Sequence, residues 1–169
     1  LLERVQTVVP GARKIVPIRH TNQAKPEGLV AFEWIGRKNY LGEKVVGARV
    51  RGSMVTSADA LIVVEREAGR RTGVLIEWKF TESYDTPIAP ISARGTDRRA
   101  TYRAAYEGAN SPFGPDKPPI DAYFHEPHYQ FLRQTLLAQG MLDAKEHGVD
   151  SMVVLALVPA RNQALLRCV

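Results

Sequence analysis

The sequence predicts an α/β protein, a small mixed β-sheet with helices on both faces. Three observations carry that expectation. Two apolar runs rich in β-branched residues, 58–65 and 73–80, are separated only by a turn-forming stretch at 67–71. They read as a hairpin of buried strands. A third run, Val153-Val154-Leu155-Ala156-Leu157-Val158, is ended by Pro159 and reads as one more buried strand. Between them, residues 127–147 place Tyr129, Leu132, Leu136, Leu137, Met141 and Ala144 at helical spacing. That is the stripe of an amphipathic helix packed on a sheet.

In chain order, residues 1–20 mix short apolar pieces with Arg4, Arg13, Lys14 and Arg19, broken by Pro10, Gly11 and Pro17. They read as a lead-in strand and loop. Leu29-Val30-Ala31-Phe32-Glu33-Trp34-Ile35 follows Pro26-Glu27-Gly28 and is closed by Gly36. Proline just inside the start and glycine just past the end favour a short buried helix, with a strand as the alternative. A basic loop at 37–42, a strand at 44–50 and a turn at 51–53 follow.

Asp59 stands at the entrance of the 58–65 strand. In the next strand side chains alternate between faces. Val74, Ile76, Trp78 and Phe80 therefore share one apolar face, and Leu75, Glu77 and Lys79 share the other. Glu77 and Lys79 point the same way, roughly 7 Å apart. An antiparallel pairing brings Asp59, near the start of one strand, to Glu77, near the end of the other.

Residues 81–127 differ in kind. Seven of the eleven prolines fall there, with Arg94, Arg98, Arg99 and Arg103 among them. A stretch this long is more often functional or mobile than core. A short helix is expected over 97–107. Pro127 then opens the long helix and Gly148 stops it.

The length of 169 residues suits one domain spanning 1–169, and 44% hydrophobic with 24% charged residues is ordinary for a soluble protein. The single cysteine, Cys168, excludes a disulfide framework and a cysteine-rich zinc site. It fits a reducing compartment, hence a cytoplasmic location. No apolar run is long enough to span a bilayer and no signal peptide is visible, so no membrane partner is expected. The chain opens on Leu1 rather than methionine, which points to a piece of a longer protein. Net charge is +5 and the pI lies near 9.5. Residues 1–80 carry 14 Lys and Arg against 8 Asp and Glu, while 81–169 carry 9 against 10. The positive half suits a polyanionic partner.

Acidic-x-Lys occurs twice. Asp143-Ala144-Lys145 falls on the long helix, where residues two apart point to nearly opposite sides. Glu77-Trp78-Lys79 falls on a strand and can build a joint site. Two carboxylates supply hard oxygen ligands for Mg²⁺, and the Trp78 carbonyl is a natural extra ligand on the same edge. The ion would polarise a scissile phosphate, and a neighbouring lysine can orient a water or take its proton. The plain alternative is a cross-strand salt bridge. Two acids and a lysine on neighbouring buried strands outweigh it, because buried like charges without a cation are costly. His125-Glu126-Pro127-His128 lacks the spacing of a helical zinc motif, and Pro127 marks a helix start instead. His20 and His147 read as surface or capping residues. No glycine-rich phosphate loop is present, which argues against ATP dependence.

Asp59, seventeen intervening residues and Glu77-Trp78-Lys79, in the order helix, three strands, helix, strand, resemble the PD-(D/E)XK nuclease superfamily. Thr56-Ser57-Ala58-Asp59-Ala60 and Glu77-Trp78-Lys79-Phe80-Thr81-Glu82 are similar to its bacterial restriction-endonuclease-like branch. The resemblance covers about residues 22–158, with Ala58 where the motif's name has proline. It implies a restriction-endonuclease-like core (αβββαβ), with Asp59 and Glu77 as metal ligands and Lys79 as the catalytic lysine. It further implies Glu33, from the first helix, as another metal ligand, and Gln130, from the helix after the third strand, as a catalytic polar residue. The implied activity is Mg²⁺-dependent DNA endonuclease cleavage of restriction or repair type, leaving 5′-phosphates, with Mn²⁺ able to substitute. The proline-rich insertion at about 81–127 lies outside the common core and is assigned to substrate recognition. Within it Arg94, Arg98, Arg99 and Arg103 either grip phosphates or form a solvated helix face. A double-strand cutter needs two sites, which a homodimer would supply. The alternative is a non-catalytic nucleic-acid-binding or assembly module that retains the fold.

Overall fold

The computed structural model describes residues 1–20, 27–43, 47–49, 55–79 and 87–167. Its elements in order are α1 (Leu2–Gln6), β1 (Lys14–Val16), β2 (Ala31–Trp34), β3 (Ala58–Glu65), β4 (Arg71–Trp78), α2 (Arg98–Glu107), α3 (His128–Asp143), β5 (Ser151–Leu157) and α4 (Gln163–Leu166). The strands form one mixed sheet in the order β1-β3-β4-β5, with β2 also pairing β3. β1, β2 and β4 run antiparallel to β3, and β5 runs parallel to β4.

The hairpin forms as the sequence predicts. β3 and β4 pair from Ala60 opposite Ile76 to Glu65 opposite Arg71. A 3-10 turn, Glu67–Gly69, reverses the chain with Ala68 at φ 56° and Gly69 at φ 70°. The glycine adopts that left-handed backbone at little cost, and the alanine does not. Both strands are covered on both sides, which is why they read as unbroken apolar runs. Ala60, Ile62, Val64, Val74 and Ile76 pack with Val5 and Val9 from the α1 region. Leu61, Val63 and Leu75 pack on the opposite face with Tyr102 and Tyr106 of α2 and Leu132, Leu136, Leu137 and Met141 of α3. Leu75 and Ile76 thus divide between the faces as alternation requires, and Trp78 packs on the Ile76 side. Phe80 lies outside the described residues.

Asp97 caps α2 by accepting the Ala100 amide hydrogen at 3.1 Å. α3 begins directly after Pro127 and ends at Asp143, a turn earlier than the sequence predicts. Lys145 and His147 adopt positive φ, and a separate 3-10 turn follows at Glu146–Gly148. Inside α3, Gly140 gives Tyr40 room: a Cβ there would stand 2.5 Å from the Tyr40 Cβ.

Several expectations need correction. Residues 29–35 hold no helix: Ala31–Trp34 is β2, paired with β3. Glu33 takes φ 56° in mid-strand, which lets Trp34 join Ala31 in the core cluster on the α3 side. The proline and glycine that favour a helix here instead frame a strand. The expected lead-in strand at 1–20 is β1, but a short helix precedes it. Of the strand expected over 44–50, residues 47–49 hold no strand, and 44–46, 50 and the 51–53 turn lie outside the described residues. The 81–127 stretch is also more than a surface insertion. Tyr102, Tyr106, Ile120 and Phe124 from it are buried in the main core.

Candidate functional site

The C-terminal end of β4 carries the site. Glu77 points to the α3 side with Leu75, and it is only 3% exposed. Lys79, two residues on, is 4% exposed. Its backbone amide continues the sheet by donating to the Leu157 carbonyl at 2.9 Å. That bond holds the residue in strand geometry, so its side chain returns to the face of Glu77. Lys79 Nζ donates to Glu77 Oε1 at 2.6 Å.

α3 supplies the rest. Gln130 inserts its amide between the two charged residues, Nε2 donating to Glu77 Oε1 and Oε1 accepting from Lys79 Nζ. One turn on, Gln134 Nε2 donates to Glu77 Oε2 at 2.5 Å and approaches the Ser57 carbonyl at 3.4 Å. Gln134 is 1% exposed, and its Oε1 is buried with no hydrogen-bond partner among the described residues. Glutamines at i and i+4 lie on one helix face. Here that face meets the end of β4.

Asp59 arrives from β3. Continued one step past Ala60–Ile76, the antiparallel register sets Asp59 opposite Glu77. Its Oδ2 accepts the Trp78 backbone hydrogen at 2.9 Å. A side chain thus takes the place of a carbonyl in the ladder, leaving Oδ1 outside that bond. The structure therefore brings Glu77, Lys79 and Gln130 into one hydrogen-bonded group with Asp59 on the adjoining strand.

The other residues singled out from the sequence lie elsewhere. Glu33 sits on β2 rather than on a helix, between the Phe32–Ala60 and Trp34–Ala58 pairs. Arg94 is exposed in the loop before α2. Arg98 donates to the Ala89 carbonyl and stacks over the Tyr129 ring at 5.9 Å. Arg99 is paired with Asp121, and Arg103 lies 3.9 Å from Glu107 on the same helix. The rings of His125 and His128 lie 4.5 Å apart, and burial, then His125, pulls His128 below the usual imidazole range. Among the described residues no group of three or more His, Cys, Asp and Glu gathers closely enough to hold a metal ion.

Two features escape the sequence reading. Gln134 is one, although its place four residues after Gln130 on the sheet-facing side was a usable signal. The other is a buried carboxylate, Glu43. It accepts from the Thr56 amide at 2.7 Å, the Thr56 hydroxyl and the Tyr102 hydroxyl at 2.9 Å. Arg133 of α3 completes this group, with Nε donating to Thr56 Oγ1 at 3.1 Å and its guanidinium over Tyr129 at 5.2 Å. The network fastens the chain three residues before Asp59 to both helices. His147, expected at the surface, is half-buried instead against Trp34, with ring centroids 5.1 Å apart. Burial, with the charges of Arg37 and Arg71, lowers it to about 4.

No helix of the described chain is long and apolar enough to cross a membrane. Neither the curated proteins nor the solved structures hold a significant match to this sequence. One family model does match, over residues 12–169, and it covers the sheet, both long helices and every residue of the site just described. The chain belongs to that family, whose description is Restriction Endonuclease associating with ARP.

Proposed function

We propose that this protein is a metal-dependent nuclease, a DNA endonuclease of restriction or repair type that uses Mg²⁺, with Mn²⁺ as a substitute. The observation that carries the reading is the group of Glu77, Lys79 and Gln130 beside Asp59 at the shared end of β3 and β4. Membership of a family described by restriction endonucleases supports it. Burying a carboxylate, an amine and two glutamine side chains together carries a desolvation cost that their mutual hydrogen bonds must offset, and such groups gather at functional sites.

The residues fit a hard divalent cation. Asp59 Oδ1 and Glu77 are carboxylate donors on adjoining strands, and the Trp78 carbonyl lies between Glu77 and Lys79 in sequence. Mg²⁺ needs only one or two protein carboxylates and fills its remaining positions with water and phosphate oxygens. When bound, the ion would polarise the scissile phosphate and make a water a better nucleophile at neutral pH. The chain's residues do the rest. Asp59 and Glu77 would hold the cation, Lys79 would orient the attacking water, and Gln130 holds the Lys79 amine in place. Of the four arginines of the 81–127 stretch, Arg94 and Arg98 have no carboxylate partner among the described residues and would be the ones to meet phosphates. Two copies would be needed to cut both strands of a duplex.

A second reading keeps one observation on its side. Both Glu77 oxygens already accept hydrogen bonds, and no three-ligand group is present among the described residues. A non-catalytic nucleic-acid-binding or assembly module would look the same. Incubating plasmid and oligonucleotide substrates with Mg²⁺, Mn²⁺ or EDTA separates the two. The nuclease reading expects cleavage with either ion, none in EDTA, and none from Asp59→Ala, Glu77→Ala or Lys79→Ala protein. DNA binding unaffected by the ions, with no cleavage, supports the module. Undiminished cleavage by Lys79→Ala protein means the site is wrongly placed.

A further inference from the structure

We propose, resting on the metal-site reading above, that Gln134 is a positioning residue that sets the spacing and orientation of the two carboxylates, and with them the affinity for a divalent ion. α3 packs on the sheet through Leu132, Leu136, Leu137 and Met141, and Gln134 is a fully buried polar side chain among them. Its single amide nitrogen carries two hydrogens. One goes to Glu77 Oε2 at 2.5 Å and the other reaches towards the Ser57 carbonyl at 3.4 Å. Ser57 is two residues before Asp59, so one amide spans the entrance of β3 and the exit of β4. Arg133, the preceding residue, binds Thr56 and anchors the same strand entrance to the same helix turn.

The division of labour between the two glutamines is specific. Gln130 and Lys79 both engage Glu77 Oε1. Gln134 holds Oε2, so it decides how the carboxylate plane is turned. It does so at a cost, because its own Oε1 is buried without a partner among the described residues. An apolar residue of the same length would avoid that cost. A side chain kept in place against packing, with its donor spent on a candidate metal ligand, is what an outer-shell support looks like.

The test is isothermal titration of the full chain with Mn²⁺, run beside metal-free thermal melting. Gln134→Met keeps the length and removes the donor. Gln134→Asn keeps the amide but falls one methylene short, and it serves if the methionine variant does not fold. Gln139→Met, on a half-buried residue of the same helix bonded to Asp143, is the control. The expected result is a Kd weakened about tenfold or more in whichever Gln134 variant still melts cooperatively without metal, with the control at the wild-type value. Wild-type Kd in a folded Gln134 variant overturns the positioning role alone. Wild-type protein that binds no Mn²⁺ overturns the metal-site reading and this inference with it.

Discussion

Lys79 Nζ lies 2.6 Å from Glu77 Oε1, two residues back along the chain at the end of β4, with both side chains almost fully buried. A pair desolvated to this degree is stable only while both members are present. Lys79→Met is therefore expected to destabilise the fold by about 3 kcal/mol, since it leaves a buried carboxylate without its amine. Replacing both, as Glu77→Leu with Lys79→Met, is expected to restore most of the loss. Urea unfolding of the two variants measures this directly. A double variant less stable than the single one would show that the pair stabilises the fold outright.

Asp59 carries a structural bond as well as a proposed chemical one. Its Oδ2 receives the Trp78 amide hydrogen. Asn at that position keeps a carbonyl acceptor, so Asp59→Asn is expected to melt close to wild type while losing cleavage. Asp59→Ala removes the acceptor and should cost about 1–3 kcal/mol in addition. Comparing melting and cleavage for the two variants separates the roles.

His147 sets a pH dependence. Its folded-state pKa is lowered from 6.5 to about 4 by burial, then by Arg37 and Arg71. Below pH 6.5 the unfolded chain takes up a proton that the folded chain refuses until about pH 4. Stability associated with this residue is therefore complete above pH 6.5 and falls progressively down to about pH 4. Melting temperature measured across that window should drop, and His147→Phe protein should show a shallower drop.

Gly140 interrupts the middle of α3, where alanine would ordinarily improve a helix by about 1 kcal/mol. Here the added Cβ would meet the Tyr40 Cβ at 2.5 Å, with no flexible side-chain end to yield. Gly140→Ala is expected to be destabilising by about 1–3 kcal/mol, read by urea unfolding.

The hairpin, α2 and α3 were legible because each has a local signature: runs buried on two faces, an aspartate cap, a helical stripe. β5 was legible as a strand, although as the edge of the sheet it is half-buried rather than buried as expected. β2 was not. Its flanking proline and glycine mimic helix punctuation, and the positive φ of Glu33 leaves no trace in composition. The Glu77-Lys79 pair was legible because period two is unambiguous once a strand is recognised, and Gln130 because the resemblance pointed at its helix. The Glu43 group was invisible for a different reason. Its members, Glu43, Thr56, Tyr102 and Arg133, are scattered along the sequence, and only the packing of α2 and α3 against the sheet assembles them. Those four residues have no motif to betray them.

β4 lies between an antiparallel neighbour and a parallel one, so the strand that leads into Glu77 is bonded on two sides. Strands so placed are the last to exchange their amide hydrogens, opening only when the whole domain does. Heat should leave this locus intact up to the cooperative transition.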